Sequence, residues 1–558
     1  MKENIMTKYW WKSEVVYQIY PRSFQDSDGD GIGDIKGIIR RLDYLEDLGI
    51  TMIWISPIFK SPMADNGYDI SDYFSIAPEF GTMADVRELL VEANKRGIKI
   101  LLDLVVNHSS DEHPWFQAAL ADPQSKYRDY YIFKSATEPP NNWRSIFGGS
   151  VWEKLPNEEV YYYHTFHKKQ PDLNWENKVL REEIYSMVNQ WLDLGVAGFR
   201  IDAITFIKKD LTFKSIEPDG VDGLANCTKV SCNQPGIEVF LKELQERCFK
   251  PHDSVTVAEA PGVDYNQLDA FIGEDGFFSM IFDFKAADLD VASGGEWFKT
   301  VKWSPKDLFD KLKTSQLAIQ EVGWGAPFIE NHDQNRATSK YLREAEKNPT
   351  AAKALALMYF YLYGTPFIYQ GQEIGMVNFQ RQSLEEFDDI SSIDQYHRGI
   401  AEGLTATEAL AVINYRSRDN ARTPMQWDSS ETVGFTSGTP WLAITEQSLS
   451  RSVQGQRNDG GSLWCFYQRL IALRKMAEHH TLVEGKIDFL ETDQENVFVY
   501  RRFDTQSSYL IIINLSEETV VLSLNHKINE VLLSNTDLTY TENQITLPPY
   551  GAGLAKEK

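Results

Sequence analysis

Eight short apolar segments, rich in β-branched residues and ending in polar or Gly/Pro residues, recur along this 558-residue chain. Amphipathic helical patterns lie between several of them, such as residues 84–96 and 181–194, with Gly97 and Gly195 suited to end each helix. Apolar strands that alternate with helices are typical of a parallel sheet buried on both faces. Eight such strands predict an α/β fold, a closed (β/α)8 TIM barrel. The segments are residues 15–24, 52–58, 98–108, 198–203, 254–260, 278–284, 326–333 and 365–373.

Two stretches interrupt this alternation. Residues 109–179, after the third strand, are rich in Trp, Tyr, Pro and Asn and predict a small inserted domain over the barrel mouth. Residues 377–450 form a second excursion after the eighth strand. From about Thr481 the pattern changes to alternating strands, which indicates an antiparallel domain. The predicted domains are the catalytic barrel (1–108 and 180–480), the inserted domain (109–179) and a C-terminal β-sandwich (481–558).

Bulk composition narrows the class of protein. The net charge of −25 disfavours binding to nucleic acid or to an anionic membrane surface. The N-terminal residues 1–12 lack the apolar core of a secretory signal, and the apolar stretch 354–369 is short and interrupted, which indicates buried core. Cys227 and Cys232 could form a disulfide or half of a metal site, but no second Cys/His pair lies nearby in the sequence. We therefore expect all four cysteines to be reduced and the protein to be cytoplasmic.

Acidic side chains stand at the ends of the predicted strands, where loops and chemistry gather in a barrel. Glycoside cleavage with retention needs a nucleophilic carboxylate and a protonated carboxyl about 5–5.5 Å apart. Asp202, short and on a rigid strand, suits the nucleophile, and Arg200 on the same strand face would keep it ionised. The longer Glu259 suits proton delivery. Asp333, beside His332, is a third candidate that would favour an oxocarbenium-like transition state.

The motifs around these residues resemble those of glycoside hydrolase family 13, the α-amylase family, and within it the oligo-1,6-glucosidase and α-glucosidase group. The resemblance covers essentially the whole chain. Its motifs are Asp103-Leu-Val-Val-Asn107-His108, Gly198-Phe-Arg-Ile-Asp202, the strand with Glu259, Glu330-Asn-His-Asp333-Gln-Asn and the group marker Gln170-Pro-Asp-Leu-Asn174.

The resemblance implies a role for each matching residue. It implies that Asp202 is the nucleophile, Glu259 the acid/base and Asp333 the transition-state stabiliser. The cleaved glucose would be lined by Arg200, His108 and His332, with Tyr68 stacked on its ring. Exo action is implied by a pocket closed behind the terminal sugar, through Asp65, Arg418, Phe166 and Gln170.

A second local signal is Asp26-Ser-Asp28-Gly-Asp30-Gly-Ile32-Gly-Asp34. Acids at alternating positions, with glycines for tight turning, bring hard oxygen ligands around one point, and Ile32 would add its carbonyl. No helix pair flanks the loop as in an EF-hand. In the resembling family this loop binds a structural calcium ion, so we expect Ca²⁺ here, with Mg²⁺ as the alternative.

Other proteins on the same scaffold remain alternatives. Sucrose isomerases of this group carry an Arg-Leu-Asp-Arg-Asp loop after the sixth strand, whereas this chain has Ala286-Ala-Asp-Leu-Asp290, without the arginines. A trehalose-6-phosphate hydrolase needs a basic phosphate cradle, and the sequence has no obvious cluster for one. Transporter heavy chains resemble the group without being enzymes, but they need a membrane segment and often lack the carboxylates.

The resemblance links the preference for α-1,6 or α-1,4 bonds to the residue directly after the nucleophile. In the resembling group Val at that position accompanies α-1,6 preference, and Thr or a smaller residue accompanies α-1,4 preference; here it is Ala203. The Gln170–Asn174 motif favours the oligo-1,6 group. The sequence thus predicts a retaining exo-α-glucosidase for short isomalto- and malto-oligosaccharides, with sucrose as a further candidate substrate. It gives no oligomeric state.

Overall fold

The computed structural model describes residues 9–292, 294–343, 347–444 and 449–558. The expectation of no secretory signal concerns a segment that lies mostly outside the described residues. The strands are β1 Val16–Ile19, β2 Met52–Ile55, β3 Phe59–Lys60, β4 Asp72–Ile76, β5 Lys99–Val105, β6 Phe133–Ser135, β7 Trp143–Arg144, β8 Trp152–Lys154, β9 Val160–Tyr163, β10 Gly198–Asp202, β11 Ala225–Asn226, β12 Val255–Glu259, β13 Met280–Phe282, β14 Phe367–Tyr369, β15 Lys486–Phe489, β16 Val497–Phe503, β17 Ser508–Asn514, β18 Val520–Ser523, β19 Ile528–Ser534, β20 Thr539–Thr541, β21 Gln544–Leu547 and β22 Ala552–Glu557.

The α-helices surround the barrel and form its excursions. They are α1 Ile35–Arg40, α2 Leu42–Leu48, α3 Met83–Lys95, α4 Pro114–Ala121, α5 Lys178–Asp193, α6 Thr228–Ser231, α7 Ile237–Leu244, α8 Leu268–Ile272, α9 Pro305–Val322, α10 Ala337–Tyr341, α11 Pro349–Phe360, α12 Ile390–Ala401, α13 Ala406–Arg416, α14 Val453–Gln456, α15 Leu463–Lys475 and α16 Thr481–Glu484. Helix α3 begins with a capping box between Thr82 and Asp85, and α3 and α5 are followed by Gly97 and Gly195 in the left-handed conformation. These are the helix ends that the glycines predicted.

The barrel wall is one parallel sheet in the order β13-β12-β10-β5-β2-β1-β14. It is closed by residues 325–327. The Ala326 N–H donates to the Ile281 carbonyl, and the Thr365 and Phe367 N–H groups donate to the carbonyls of Gly325 and Pro327. Pro327 has no N–H to donate, so this wall segment pairs less regularly than the others. The predicted barrel, with its eight apolar segments, is confirmed.

The inserted region carries the three-stranded antiparallel sheet β6-β9-β8. The inserted region also contains β7. This strand pairs in parallel with β11, which belongs to the segment after the fourth barrel strand, β10, so that segment joins the inserted region in a separate two-stranded sheet. Phe213 and Cys227 from that later segment pack against Trp143 and Trp152 of the inserted region. The structural unit formed by the inserted region therefore combines residues from two loops.

The C-terminal strands form two antiparallel sheets, β15-β16-β17-β22-β19 and β18-β21-β20. Apolar side chains such as Val499, Ile512 and Leu547 share a core between them. The opposite face of the larger sheet packs on the barrel, where the Tyr500 hydroxyl donates to the Met358 carbonyl at 3.2 Å. The predicted antiparallel C-terminal domain is confirmed.

The described residues bear on two of the expectations from the sequence, those about a membrane segment and about the cysteines. None of their helices combines the length and apolarity needed to cross a membrane. Cys227, Cys232, Cys248 and Cys465 are all free thiols.

Candidate active site

One buried arginine joins three carboxylates at the mouth of the barrel. Arg200 on β10 points its Nη1 at Asp103 and Asp202, each at 2.8 Å, and its Nη2 at Glu259 at 2.6 Å. Alternate residues of a strand share a face, so Arg200 and Asp202 leave β10 on the same side. The parallel register sets Arg200 beside Asp103 of β5 and beside β12, which ends at Glu259. The strand ends thus bring the predicted nucleophile and acid into one cluster.

The protonation of this cluster follows from its burial. Burial raises the pKa of Glu259 to about 8, with Asp202 and Asp333 adding to the rise and Arg200 opposing it. Burial also raises the pKa of Asp202 to about 7, against the pull of Arg200. A hydrogen bond between the two groups lowers the pKa of Asp202 and opposes its rise, so we assign a proton shared by the pair to Glu259. The pair is suited to hold one acid and one carboxylate.

Asp333 stands among positive charges. Its Oδ1 lies 2.9 Å from Arg422 Nη2 and 3.4 Å from Arg418 Nη1. Burial alone would raise its pKa, but His332 and the two arginines outweigh it and hold the pKa of Asp333 well below its ordinary value. Because burial lowers the pKa of His332 to about 3, the arginines supply the favourable charge at neutral pH. Asp333 is ionised there.

Tyr68 and His332 form the floor of the site. The Tyr68 hydroxyl lies 3.0 Å from Asp103 Oδ2 and 2.5 Å from His332 Nε2, and the two ring planes are 9° apart. Gln18 Nε2 lies 2.7 Å from the other His332 nitrogen, Nδ1. These contacts fix both rings in the pocket.

A buried polar cluster lies beside these groups, joined to Asp333 through Arg418. Arg418 Nη2 lies 3.1 Å from Asp65, and Gln170 donates to the other Asp65 oxygen at 3.1 Å. The Phe166 ring lies 5.3 Å from that of His108, between the inserted region and the barrel. Asp202, Glu259 and Asp333 keep 12%, 21% and 28% of their side chains exposed, whereas Asp65 and Gln170 are buried. The three carboxylates are therefore partly open to solvent, and the Asp65–Arg418 pair beside them is buried.

The remaining predicted residues lie between these groups. His108 Nε2 lies 3.0 Å from the Tyr68 carbonyl and 3.2 Å from Gln170 Nε2. Ala203 is left-handed, at φ 42°, and its N–H donates to Glu259 Oε2 at 3.1 Å. That backbone conformation is uncommon for a residue with a Cβ. All twelve predicted catalytic and substrate residues thus lie in one connected site.

The acidic loop forms a separate cluster. Carboxylate oxygens of Asp26, Asp28 and Asp34 lie within 4.8 Å of one another. The loop is also held by its own hydrogen bonds: Asp26 accepts three backbone N–H groups, and Asp30 Oδ1 accepts the Ile32 N–H at 2.8 Å. Three hard oxygen donors around one point fit Ca²⁺ or Mg²⁺. Asp30 lies outside the three-residue group, and the calcium ion stays a prediction.

Two family models match the chain almost end to end. The α-amylase catalytic domain matches residues 18–485, and the maltogenic amylase C-terminal domain matches residues 487–554. The chain belongs to the α-amylase family. It is a glycoside hydrolase, and the relationship predicted from the sequence motifs is confirmed.

Relatives within the α-amylase family carry several activities in their names. An oligo-1,6-glucosidase of Parageobacillus thermoglucosidasius is 43% identical, over 99% of each chain. A trehalose-6-phosphate hydrolase of Bacillus subtilis is 38% identical, over 97% of each. The crystal structure of an isomaltulose synthase from Klebsiella sp. LX3 matches with a TM-score of 0.94 at 37% identity, covering 99% of this chain and 100% of that one.

Some residues of the site were not among the predicted ones. Asp103 lies in a recognised motif, but its contact with Arg200 depends on strand pairing. Arg422 lies four residues after Arg418, and Asp389 pairs with Arg418 at 2.7 Å from the long excursion. No periodic signal marks Arg422 and Asp389, because the partners of these loop residues come from other parts of the chain.

Proposed function

We propose that this α-amylase family enzyme is a retaining exo-α-glucosidase that removes terminal non-reducing α-glucosyl units from short α-glucosides. The observation that carries the proposal is the shared contact of Asp202 and Glu259 with Arg200, close to the buried pair of Asp65 and Arg418. A retaining reaction needs two carboxyl groups with different protonation, and the pKa order of this pair supplies it.

The reaction proceeds in two displacements. Asp202 attacks the anomeric carbon, and the Glu259 proton passes to the glycosidic oxygen as its bond to that carbon breaks. Glu259, now ionised, takes a proton from water, whose oxygen attacks the anomeric carbon and releases Asp202. Two inversions return the α anomer. The ionised Asp333 favours the positive charge that develops on the sugar ring in both transition states.

The buried Asp65–Arg418 pair supports exo action. A charged pair such as Asp65–Arg418 offers hydrogen bonds to the hydroxyls of a terminal glucose. Both side chains are buried and Asp389 lies behind Arg418, so we infer that no further sugar fits behind the pair. We expect isomaltotriose to release glucose one unit at a time.

Named relatives suggest the competing activities, and a substrate panel separates them. Isomaltose, maltose, sucrose and trehalose-6-phosphate are supplied at equal concentration, while glucose release and its anomeric form are followed. Rapid release of α-glucose from isomaltose or maltose supports the proposal. Turnover of the phosphorylated sugar alone would make the enzyme a trehalose-6-phosphate hydrolase, and conversion of sucrose into an isomer without glucose release would make it an isomerase.

Ala203 provides a test of linkage preference. We expect A203V to raise the isomaltose-to-maltose ratio of kcat/KM by about tenfold. The added methyl groups narrow the acceptor side of the pocket, and a change of this size alters the discrimination between substrates by about 1–3 kcal/mol. A β-branched residue at φ 42° is strained, so the melting temperature should fall. A203G is the matched control, because it relieves the strain and widens the pocket. An unchanged ratio in A203V would refute a role for this position in linkage choice.

Two further assignments are proposals. We infer that Asp26, Asp28 and Asp34 hold a structural Ca²⁺, with support from their clustered oxygens. We also infer a cytoplasmic location, because four free thiols suit a reducing compartment.

A further inference from the structure

Lys209 is a buried lysine behind the proposed glucose pocket. It follows β10 by seven residues, and its Nζ lies 2.8 Å from Asp172 of the inserted region and 2.9 Å from Asn107 Oδ1 after β5. Asp172 also accepts the Thr165 N–H at 2.7 Å. A lysine desolvated this far is retained only with strong partners. Lys209 thus joins three separate segments at the base of the pocket.

These partners allow only one orientation of the Asn107 amide. An ammonium group donates and cannot accept, so Asn107 must turn its oxygen to Lys209. The carboxylate of Asp172, paired with Lys209, accepts and cannot donate, so it must face the Asn107 NH₂, which lies 3.1 Å away. The two constraints agree. The NH₂ group then directs its second hydrogen at His108 Nδ1, 3.2 Å away.

That contact selects the tautomer of His108. Nδ1 faces only the Asn107 NH₂ donor, whereas Nε2 also faces the Tyr68 carbonyl, which can only accept, so the ring proton lies on Nε2. Burial lowers the pKa of His108, with Asp172 and Asp65 opposing, which keeps the ring neutral. Gln170 Nε2, 3.2 Å from His108 Nε2, is a donor because Gln170 Oε1 accepts the His167 N–H, and it has the Asp65 carboxylate as its own acceptor at 3.1 Å. The His108 Nε2–H therefore donates to the Tyr68 carbonyl at 3.0 Å.

We propose that Lys209 is a positioning residue that acts through Asn107 to hold His108 in its Nε2–H tautomer, and so to fix Tyr68 in the pocket floor. The hydrogen-bond chain runs from Lys209 to Asn107, His108 and the Tyr68 backbone without interruption. Its consequence for turnover rests on the proposed function, whereas the tautomer itself does not.

The tautomer is tested first in the unaltered protein. Nitrogen NMR of ¹⁵N-histidine-labelled enzyme without substrate, with His108 assigned by the loss of its signals in H108N, reports which ring nitrogen carries the proton. We expect a protonated Nε2 and an unprotonated Nδ1. A proton on Nδ1, or a doubly protonated ring at neutral pH, would overturn the proposal. This measurement needs no Lys209 variant to fold.

A pair of neighbouring lysines then tests the cause. In K209M we expect the His108 signals to report a mixture of tautomers, and kcat/KM for p-nitrophenyl α-glucoside to fall by about 100-fold, as displacement of a positioning group can produce. K208M is the matched control, because Lys208 forms a more exposed pair with Glu176; it should keep both properties. K209R, which restores the donors, should recover part of the activity.

The outcomes separate this inference from the proposed function. A K209M enzyme with the wild-type tautomer and kcat/KM would refute a positioning role for Lys209. A wild-type enzyme with the expected tautomer that hydrolyses no α-glucoside would refute the proposed function and leave the hydrogen-bond chain intact.

Discussion

Arg200 sets the charge of the active site at the scale of single residues. Three carboxylates surround one guanidinium, so the fully ionised cluster is negative and must favour uptake of a proton. Burial raises the pKa of Asp103 to about 6, of Asp202 to about 7 and of Glu259 to about 8. The proton therefore resides on Glu259. A guanidinium serves this geometry better than an ammonium group because its planar donors reach several carboxylates at once.

This order of pKa values predicts the pH dependence of turnover. Below about pH 7 Asp202 gains a proton and loses its nucleophilicity, and above about pH 8 Glu259 loses the proton that it must donate. We expect a bell-shaped profile of kcat/KM for maltose with limbs near those values. In E259Q the alkaline limb should disappear and kcat should fall by about 100- to 10,000-fold.

The control for this prediction is E246Q, on an exposed surface position. It should keep the full bell and the wild-type rate, and circular dichroism should give both variants a native fold. An alkaline limb that persists in E259Q would remove Glu259 from the role of general acid.

At the scale of elements, strand ends were predictable and loop partners were not. Asp202 and Glu259 could be assigned from the sequence because each ends an apolar run, and parallel strands gather their carboxyl ends at one edge. The two-residue strand β11 has no periodic pattern, so its pairing with β7 was missed. Lys209 lies in a loop, and its partners come from two other segments. Tertiary packing alone decides such contacts.

The acidic loop before α1 carries a prediction at this scale. Asp34 caps α1, and Asp26 accepts a hydrogen bond from Thr436 of the long excursion, so the loop connects α1 with the excursion. We expect 1 mM Ca²⁺ to raise the melting temperature relative to EDTA, since a ligand at 100 times its Kd stabilises the native state by about 2.7 kcal/mol. D28N should reduce this shift because it removes one of the three clustered carboxylates, and it should keep the fold because the exposed Asp28 holds the loop less than Asp26 does.

D43N, at an exposed acid of α2, is the matched control and should keep the full calcium response. An equal response to Mg²⁺ would assign the site to that ion. Equal melting temperatures in Ca²⁺ and EDTA would contradict a metal site in this loop.

At the scale of the whole molecule, buried arginines join the C-terminal domain to the barrel. Arg502 on β16 donates to the carbonyls of Tyr361 and Leu362 in the barrel and of Val483 and Gly485 at the junction. Arg474 donates to the Gly364 and Leu482 carbonyls. Carbonyl oxygens at helix and strand ends need donors when they are buried. The two domains therefore satisfy one another's backbone and should unfold together.

This coupling predicts the effect of R502M. The substitution leaves several buried carbonyls without a donor, so the free energy of unfolding should fall by about 3 kcal/mol or more. All 14 tryptophans precede residue 481, so their fluorescence reports on the barrel and inserted region while circular dichroism reports on the whole chain. Both urea transitions should move together to lower concentration. The neighbouring R501M, which removes a more exposed pair with Asp488, should shift them by less than about 1 kcal/mol. A fluorescence transition that stays in place while the circular dichroism transition moves would mean that the domains unfold independently.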